Sequence, residues 1–152
     1  MTIIALKDAE LAFGLTPLLD RASLAIDDGD RIGLIGRNGT GKSSLLGVLA
    51  GHLSLDDGEV QRKPGLRIPL VEQEPVLPGA PTVRESLLQR GAIDAIHDER
   101  DRHGAEARLA EYLHRFSVNT EASPAEVSGG ERKRAALALA FALEPELLLL
   151  DE

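Results

Sequence analysis

The sequence predicts an α/β domain. A short apolar run at residues 31–35 leads into a glycine-rich stretch and then into a helix-forming segment. Strand-length apolar segments lie on both sides of that unit, and the middle of the chain is rich in Glu, Arg, Ala and Leu, which favour helices. The resulting order is strands, a helix, further strands, a helical insert, then a helix and a strand, an α/β plan that carries an all-helical subdomain as an insertion.

Composition supports one folded unit. A chain of 152 residues suits a single domain, and at that length about 70% of the unfolded surface is buried on folding. With 43% hydrophobic and 28% charged residues, global disorder is excluded. The formal net charge of -8 argues against long-range attraction of the whole unit to a phosphate backbone. One local basic run, Arg132-Lys133-Arg134, reads either as a basic patch or as the solvated start of a helix. Cysteine is absent, so neither disulfides nor thiol chemistry enter. No run approaches the roughly 20 apolar residues of a membrane span. The opening residues MTIIALKDAELAFGL have neither a basic leader nor a sustained apolar stretch. The expected location is the cytoplasm.

Taken in order, residues 2–6 and 22–26 are branched and apolar enough for strands, and Asp27-Asp28-Gly29-Asp30 is a turn. Residues 31–35 follow as a strand that runs straight into glycine. From Lys42 the chain reads as a helix that ends near Gly51, and strands are predicted at 59–62 and 66–72. Pro75, Pro78 and Pro81 mark a boundary, with helix expected from Thr82 onward. Leu109, Tyr112, Leu113 and Phe116 fall at i, i+3, i+4 and i+7, the stripe of an amphipathic helix. The two aromatics are read as core, with no cofactor role. Residues 135–143 form a nearly all-apolar helix, Glu144-Pro145-Glu146 breaks it, and 147–150 is a buried strand. There is no internal repeat.

Three motifs carry chemistry. Gly36-Arg37-Asn38-Gly39-Thr40-Gly41-Lys42-Ser43 matches G-x-x-x-x-G-K-[ST] in full, between a strand and a helix. Its glycines let backbone N–H groups turn inward as an anion nest, above the positive end of the following helix. Lys42 would reach the β- and γ-phosphates of a nucleotide and Ser43 would ligate Mg²⁺, with Ser44 beside it in the same first turn. In the second motif, the apolar residues 147–150 deliver Asp151 and Glu152 at a strand's C-terminal end, the edge where open parallel sheets bind ligands. Asp151 is placed to hold Mg²⁺ through water and Glu152 to polarise an attacking water. The third, Ser128-Gly129-Gly130-Glu131, is a helix capping box whose two glycines leave the helix N-terminus bare enough to press on a phosphate.

The P-loop, then Gln73, then Ser128-Gly129-Gly130-Glu131, then Leu147-Leu148-Leu149-Leu150-Asp151-Glu152, in that order, resemble the ATP-binding cassette (ABC) family. The resemblance spans nearly the whole chain. It implies a P-loop NTPase fold with a mixed or parallel sheet, an antiparallel β subdomain and an inserted helical subdomain. It also implies a division into residues 1–76 (β subdomain and P-loop core), 77–127 (helical subdomain) and 128–152 (signature helix and Walker B strand). Phe13 resembles the aromatic that stacks on adenine; as an aromatic in an early strand it also reads as core. Gln73 matches the Q-loop glutamine, which contacts Mg²⁺ and the attacking water. The catalytic set implied is Glu152, Gln73 and Lys42. Ser128 and Gly130, within the signature Ser128 to Glu131, would contact the nucleotide of an opposing cassette, because family members close two cassettes head to tail on two ATP molecules. That second cassette would lie on the same chain or in a homodimer.

The stretches Val71-Glu72-Gln73-Glu74-Pro75 and Gly29 to Gly39 resemble the ABC-F branch, soluble twin-cassette ATPases that act on ribosomes and rRNA, and within it the Uup group. The interval from Gln73 to Ser128 is 55 positions, short for a member with an arm inserted there. The alternative is the ATP-binding subunit of a membrane transporter, with the groove beside the Q-loop gripping a transmembrane partner. The resemblance places the D-loop, the switch histidine and the remaining C-terminal strands beyond Glu152. The expectation is therefore a marginally stable chain with a loose C-terminal end and weak or no turnover alone. His52, His97, His103 and His114 follow no metal-ligand spacing, so no metal beyond Mg²⁺ is expected.

Overall fold

The computed structural model describes residues 1–152. Two 12-residue strands, β1 (Thr2–Phe13) and β2 (Thr16–Asp27), form an antiparallel hairpin, and β3 (Asp57–Arg62) pairs on the other edge of β1, giving the order β2-β1-β3. The hairpin is about twice as long as the predicted runs at 2–6 and 22–26. Alternation is broken where Asp8 and Arg21 take positive φ and the register shifts, so no single period runs through either strand. Gly58 fits β3 onto that bulge. Its φ is 93°, and a Cβ there would stand 2.4 Å from the Asp8 carbonyl oxygen, a space only glycine leaves open.

Helix α1 (Lys42–Ala50) ends at Gly51 as expected and packs between two sheets. Leu46 and Leu49 join Ile3, Ile4 and Ile26 on one side and Leu149 on the other in one buried cluster. The second sheet is small: β4 (Leu70–Val71) pairs in parallel with β5 (Leu149–Leu150). Bonds from Leu147 N to Arg67 O and from Asp151 N to Val71 O extend that ladder at both ends.

Helices α2 (Val83–Arg90), α3 (Glu99–Arg115) and α4 (Gly129–Ala142) enclose the largest core cluster, with Val83, Leu87, Ile93, Leu109, Leu113 and Leu139 in it. The predicted stripe holds: Leu109 and Leu113 are buried in α3, with Tyr112 and Phe116 partly buried beside them. Full burial of such leucines contributes about 1.5–3 kcal/mol each. Thr82 caps α2 by accepting from Glu85 N at 3.2 Å, and Asp98 caps α3 by accepting from Asp101 N at 3.0 Å. The opposite side of α4 carries small residues, and Ala136 and Ala140 lie against Val71 of β4. One helix thus belongs to both the helical cluster and the sheet.

Residues 31–35 are not a strand. They run without a backbone partner, with Ile35 fully exposed. Apolar content is enough for a strand prediction, but a strand exists only when an adjacent strand supplies its hydrogen bonds. The predicted strand at 66–72 shortens to Leu70–Val71 for the same reason, since β5 offers only a brief edge.

Candidate active site

The glycine-rich loop folds back on itself. Thr40 closes it, donating from its N–H and its Oγ1 to the Arg37 carbonyl oxygen at 3.3 and 2.7 Å. Gly41 is the N-cap of α1, with φ 98°, and a Cβ there would meet the Leu18 carbonyl oxygen at 2.9 Å. Glycine is therefore required twice over at this position, for the left-handed backbone and for the contact with β2. No side chain caps α1, and the N–H groups of Lys42, Ser43 and Ser44 find no backbone acceptor. Those donors and the helix dipole make this end an anion cradle. Lys42 Nζ donates back to the Gly36 carbonyl oxygen, across the mouth of the loop.

Across from the cradle stand the ends of β4 and β5. A cleft of about 200 Å³ is lined by Leu18, by Asn38, Gly39, Gly41, Lys42, Ser43 and Ser44 of the loop, and by Gln73, Asp151 and Glu152. Four segments separated in sequence thus meet at one opening. Gln73 Nε2 donates to Glu152 Oε2 at 3.2 Å, so the glutamine amide and the Glu152 side-chain carboxylate touch directly. Ser43, Gln73 and Asp151 line the cleft beside the phosphate cradle, and their side chains carry a hydroxyl, an amide oxygen and a carboxylate, all hard oxygen donors. That donor set suits Mg²⁺, which takes few protein ligands and completes its octahedron with water and phosphate oxygens.

The other predicted residues lie elsewhere. Gly36, Arg37 and Thr40 belong to the loop but not to the cleft lining. Phe13 sits at the β1–β2 hairpin end paired with Thr16, is 79% exposed and does not line the cleft, so it is not a core residue. Ser128, Gly129 and Gly130 are exposed and outside the cleft. Their capping box is complete: Ser128 Oγ accepts from Glu131 N at 3.2 Å, and Glu131 Oε2 accepts from Ser128 N at 3.3 Å.

Two residues of the site were not legible in the sequence. Leu18 reaches the loop through the β2 register, for which no motif exists. Within the basic run 132–134, Lys133 is neither part of a basic patch nor a solvated helix start. Its Nζ donates to the carbonyl oxygens of Glu72 at 2.6 Å, Gln73 at 3.4 Å and Asp151 at 3.1 Å. Arg90 holds the same segment from α2, donating to the Val76 carbonyl oxygen at 2.6 Å and pairing with the Glu72 carboxylate.

The ABC transporter family model matches residues 19–152, from β2 through the cradle to the final carboxylates. The chain belongs to this family. Among its ABC relatives, "ATP-binding protein Uup" of Caulobacter vibrioides is 42% identical over 151 residues, covering 99% of this chain and 23% of that protein. The aliphatic sulfonates import ATP-binding protein SsuB of Granulibacter bethesdensis is 38% identical over 151 residues, covering 99% of this chain and 59% of the relative. The solved ATP-binding subunit of an ABC transporter superposes with a TM-score of 0.83 at 25% identity, over 99% of this chain and 66% of that one. The fold is that of an ABC ATPase domain, and the chain spans about a quarter of the length of the Uup relative. No helix is long and apolar enough to cross a membrane.

Proposed function

We propose that this chain is the ATP-binding and hydrolysing core of a soluble ABC-F protein of the Uup type, acting on ribosomes. The observation that carries the ATPase reading is the cleft in which the loop, Gln73, Asp151 and Glu152 converge. ATP would lay its phosphates on the N–H groups of α1, and Lys42 would exchange its bond to Gly36 for the β- and γ-phosphates. Ser43, Gln73 and Asp151 would hold Mg²⁺, which when bound draws charge from the phosphate oxygens. Glu152 takes a proton from water as the water oxygen bonds to the γ-phosphorus. The bond to the β,γ-bridging oxygen then breaks, releasing ADP and inorganic phosphate.

Phe13 would stack on adenine from the hairpin end, which its exposure permits. Ser128, Gly130 and the rest of the signature would reach a nucleotide held by a second cassette, which their exposure also permits. The division at residues 1–76, 77–127 and 128–152 is proposed on the same basis. The similarity to Uup and the Glu72-Gln73-Glu74-Pro75 context support the ribosomal branch. The transporter reading is supported by the similarity to SsuB and by a cleft of about 530 Å³ beside Gln73, Val76 and Arg132, where a partner helix would seat.

The test is a calorimetric titration with Mg-ATP of the chain and its Lys42→Ala variant, with steady-state hydrolysis by the full-length protein and Glu152→Gln. Binding is expected to vanish in Lys42→Ala. Glu152→Gln is expected to keep binding and to lose turnover from this site; unchanged hydrolysis there would remove Glu152 as the base. Co-sedimentation of the full-length protein with ribosomes, compared with extraction in complex with a membrane protein, separates the two branches.

A further inference from the structure

We infer that Lys133 is a positioning residue for hydrolysis, its ammonium pinning the peptide groups that aim Gln73 and Glu152. The inference rests on the ATPase reading above and extends it to a residue on the first turns of α4. A lysine ammonium has three donors, and Lys133 directs them at three carbonyl oxygens, those of Glu72, Gln73 and Asp151. These carbonyls come from two segments, the exit of β4 and the exit of β5. Each is one end of a peptide unit. The Asp151 carbonyl belongs to the peptide that carries Glu152, and the Glu72 carbonyl to the peptide that carries Gln73.

Carbonyl dipoles that converge on one point repel each other, and a cation at that point cancels the repulsion. Without the ammonium, the carbonyls gain by rotating toward water, and the side chains of Gln73 and Glu152 rotate with their peptides. Those two side chains meet at 3.2 Å, so a small rotation of either peptide changes their relation. Arg90 cannot take over. It holds Glu72 and Val76 but makes no bond to Asp151. Beside the apolar packing of Ala136 and Ala140 on Val71, Lys133 is the side chain that hydrogen-bonds α4 to both the Gln73 segment and the carboxylate-bearing strand end. Any shift of α4, whose N-terminus carries the signature, is therefore transmitted to the residue that polarises water.

The experiment uses the full-length protein. Turnover is measured for Lys133→Met, Lys133→Gln, Gln73→Ala and the double variant Lys133→Met/Gln73→Ala, each taken above the level left by Glu152→Gln so that only this site is counted. Mg-ATP affinity is measured for the same set. Lys133→Met is expected to lower kcat by about ten- to a hundredfold, the scale of a small misplacement of reacting groups, with Kd for Mg-ATP within about threefold. Lys133→Gln, which keeps a donor and loses the charge, is expected to fall between, and it carries the comparison if the methionine variant does not fold. The double variant is expected to lose less than the product of the two single losses, because part of the Lys133 effect runs through Gln73. Wild-type turnover in Lys133→Met would overturn the inference. So would affinity and kcat falling together, or additive losses in the double variant, since those describe general structural support. Absence of both Mg-ATP binding and hydrolysis in the wild-type protein would instead sink the ATPase reading itself, and that result does not involve Lys133.

Discussion

Phe13 and Lys133 show opposite relations between a residue's type and its place. An aromatic in an early strand is a natural core residue, yet Phe13 projects from the hairpin end with 79% of its surface exposed. Truncation of a buried Phe costs about 3–5 kcal/mol, whereas an exposed one costs within about 0.5 kcal/mol. Phe13→Ala is therefore expected to leave the denaturant midpoint nearly unchanged while weakening Mg-ATP binding, and calorimetry beside urea unfolding checks both. A large loss of stability with intact binding would return Phe13 to a structural role. Lys133 looks like surface in the sequence, one of three consecutive basic residues, yet its head is turned inward onto three carbonyl oxygens. Its neighbours in the run do not share that role. Nothing in the local sequence distinguishes it, because its acceptors lie about 60 positions upstream and 18 downstream.

The opening motif of helix α4 caps the helix and is proposed to reach a second cassette's nucleotide as well. The capping box is satisfied on both sides, so Ser128 and Glu131 stabilise the helix whatever else they do. Ser128 and the glycines after it are nevertheless exposed. Ser128→Asp separates the roles, since aspartate caps as well as serine but brings a negative charge to the helix mouth. The expected result in the full-length protein is stability within about 0.5 kcal/mol of wild type with a marked fall in ATP turnover. Equal turnover would confine Ser128 to capping. Helix signals are local: the capping box at Ser128 and the stripe of Leu109 and Leu113 were readable in the sequence, and the structure adds caps of the same short-range kind at Thr82 and Asp98. Residues 31–35 are the contrary case. Their composition is that of a strand, but strand formation depends on a partner elsewhere in the fold, and none lies beside them.

The two sheets are tied at their periphery by an exposed ion pair, Lys63 Nζ to Glu146 Oε2 at 2.7 Å, which links the end of β3 to the chain entering β5. The hydrogen bond to Lys63 holds the Glu146 carboxyl below its ordinary value, and the same bond raises Lys63. A depressed acid contributes stability that is present above its ordinary pKa of 4.5 and is lost as pH falls through the lower folded value. A raised lysine contributes stability that is present below 10.5 and is lost as pH rises through its folded value. Between those limits the tie holds, and its effect is modest because both groups are exposed. Hydrogen exchange reads both the tie and the sheet. Leu147, Leu149 and Asp151 donate into the β4 side and are expected to exchange slowly at neutral pH, whereas Leu148 and Leu150, on the open edge, exchange fast. Glu146→Gln is expected to speed exchange at Leu147 and Leu149 without altering Leu150. Strong protection at Leu148 and Leu150 would show that the second edge of β5 is covered.

The α/β order, the cradle and the acidic strand end were determined by sequence because each rests on short-range chemistry: glycines that permit left-handed backbone, a lysine and serine at a helix start, carboxylates after an apolar run. The pairing of Gln73 with Glu152, the seat of Leu18 against Gly41 and the inward turn of Lys133 were decided by tertiary structure. Each of these joins segments separated along the chain, and a contact of that kind is fixed by strand register and helix packing, which bring the segments together only in the folded domain.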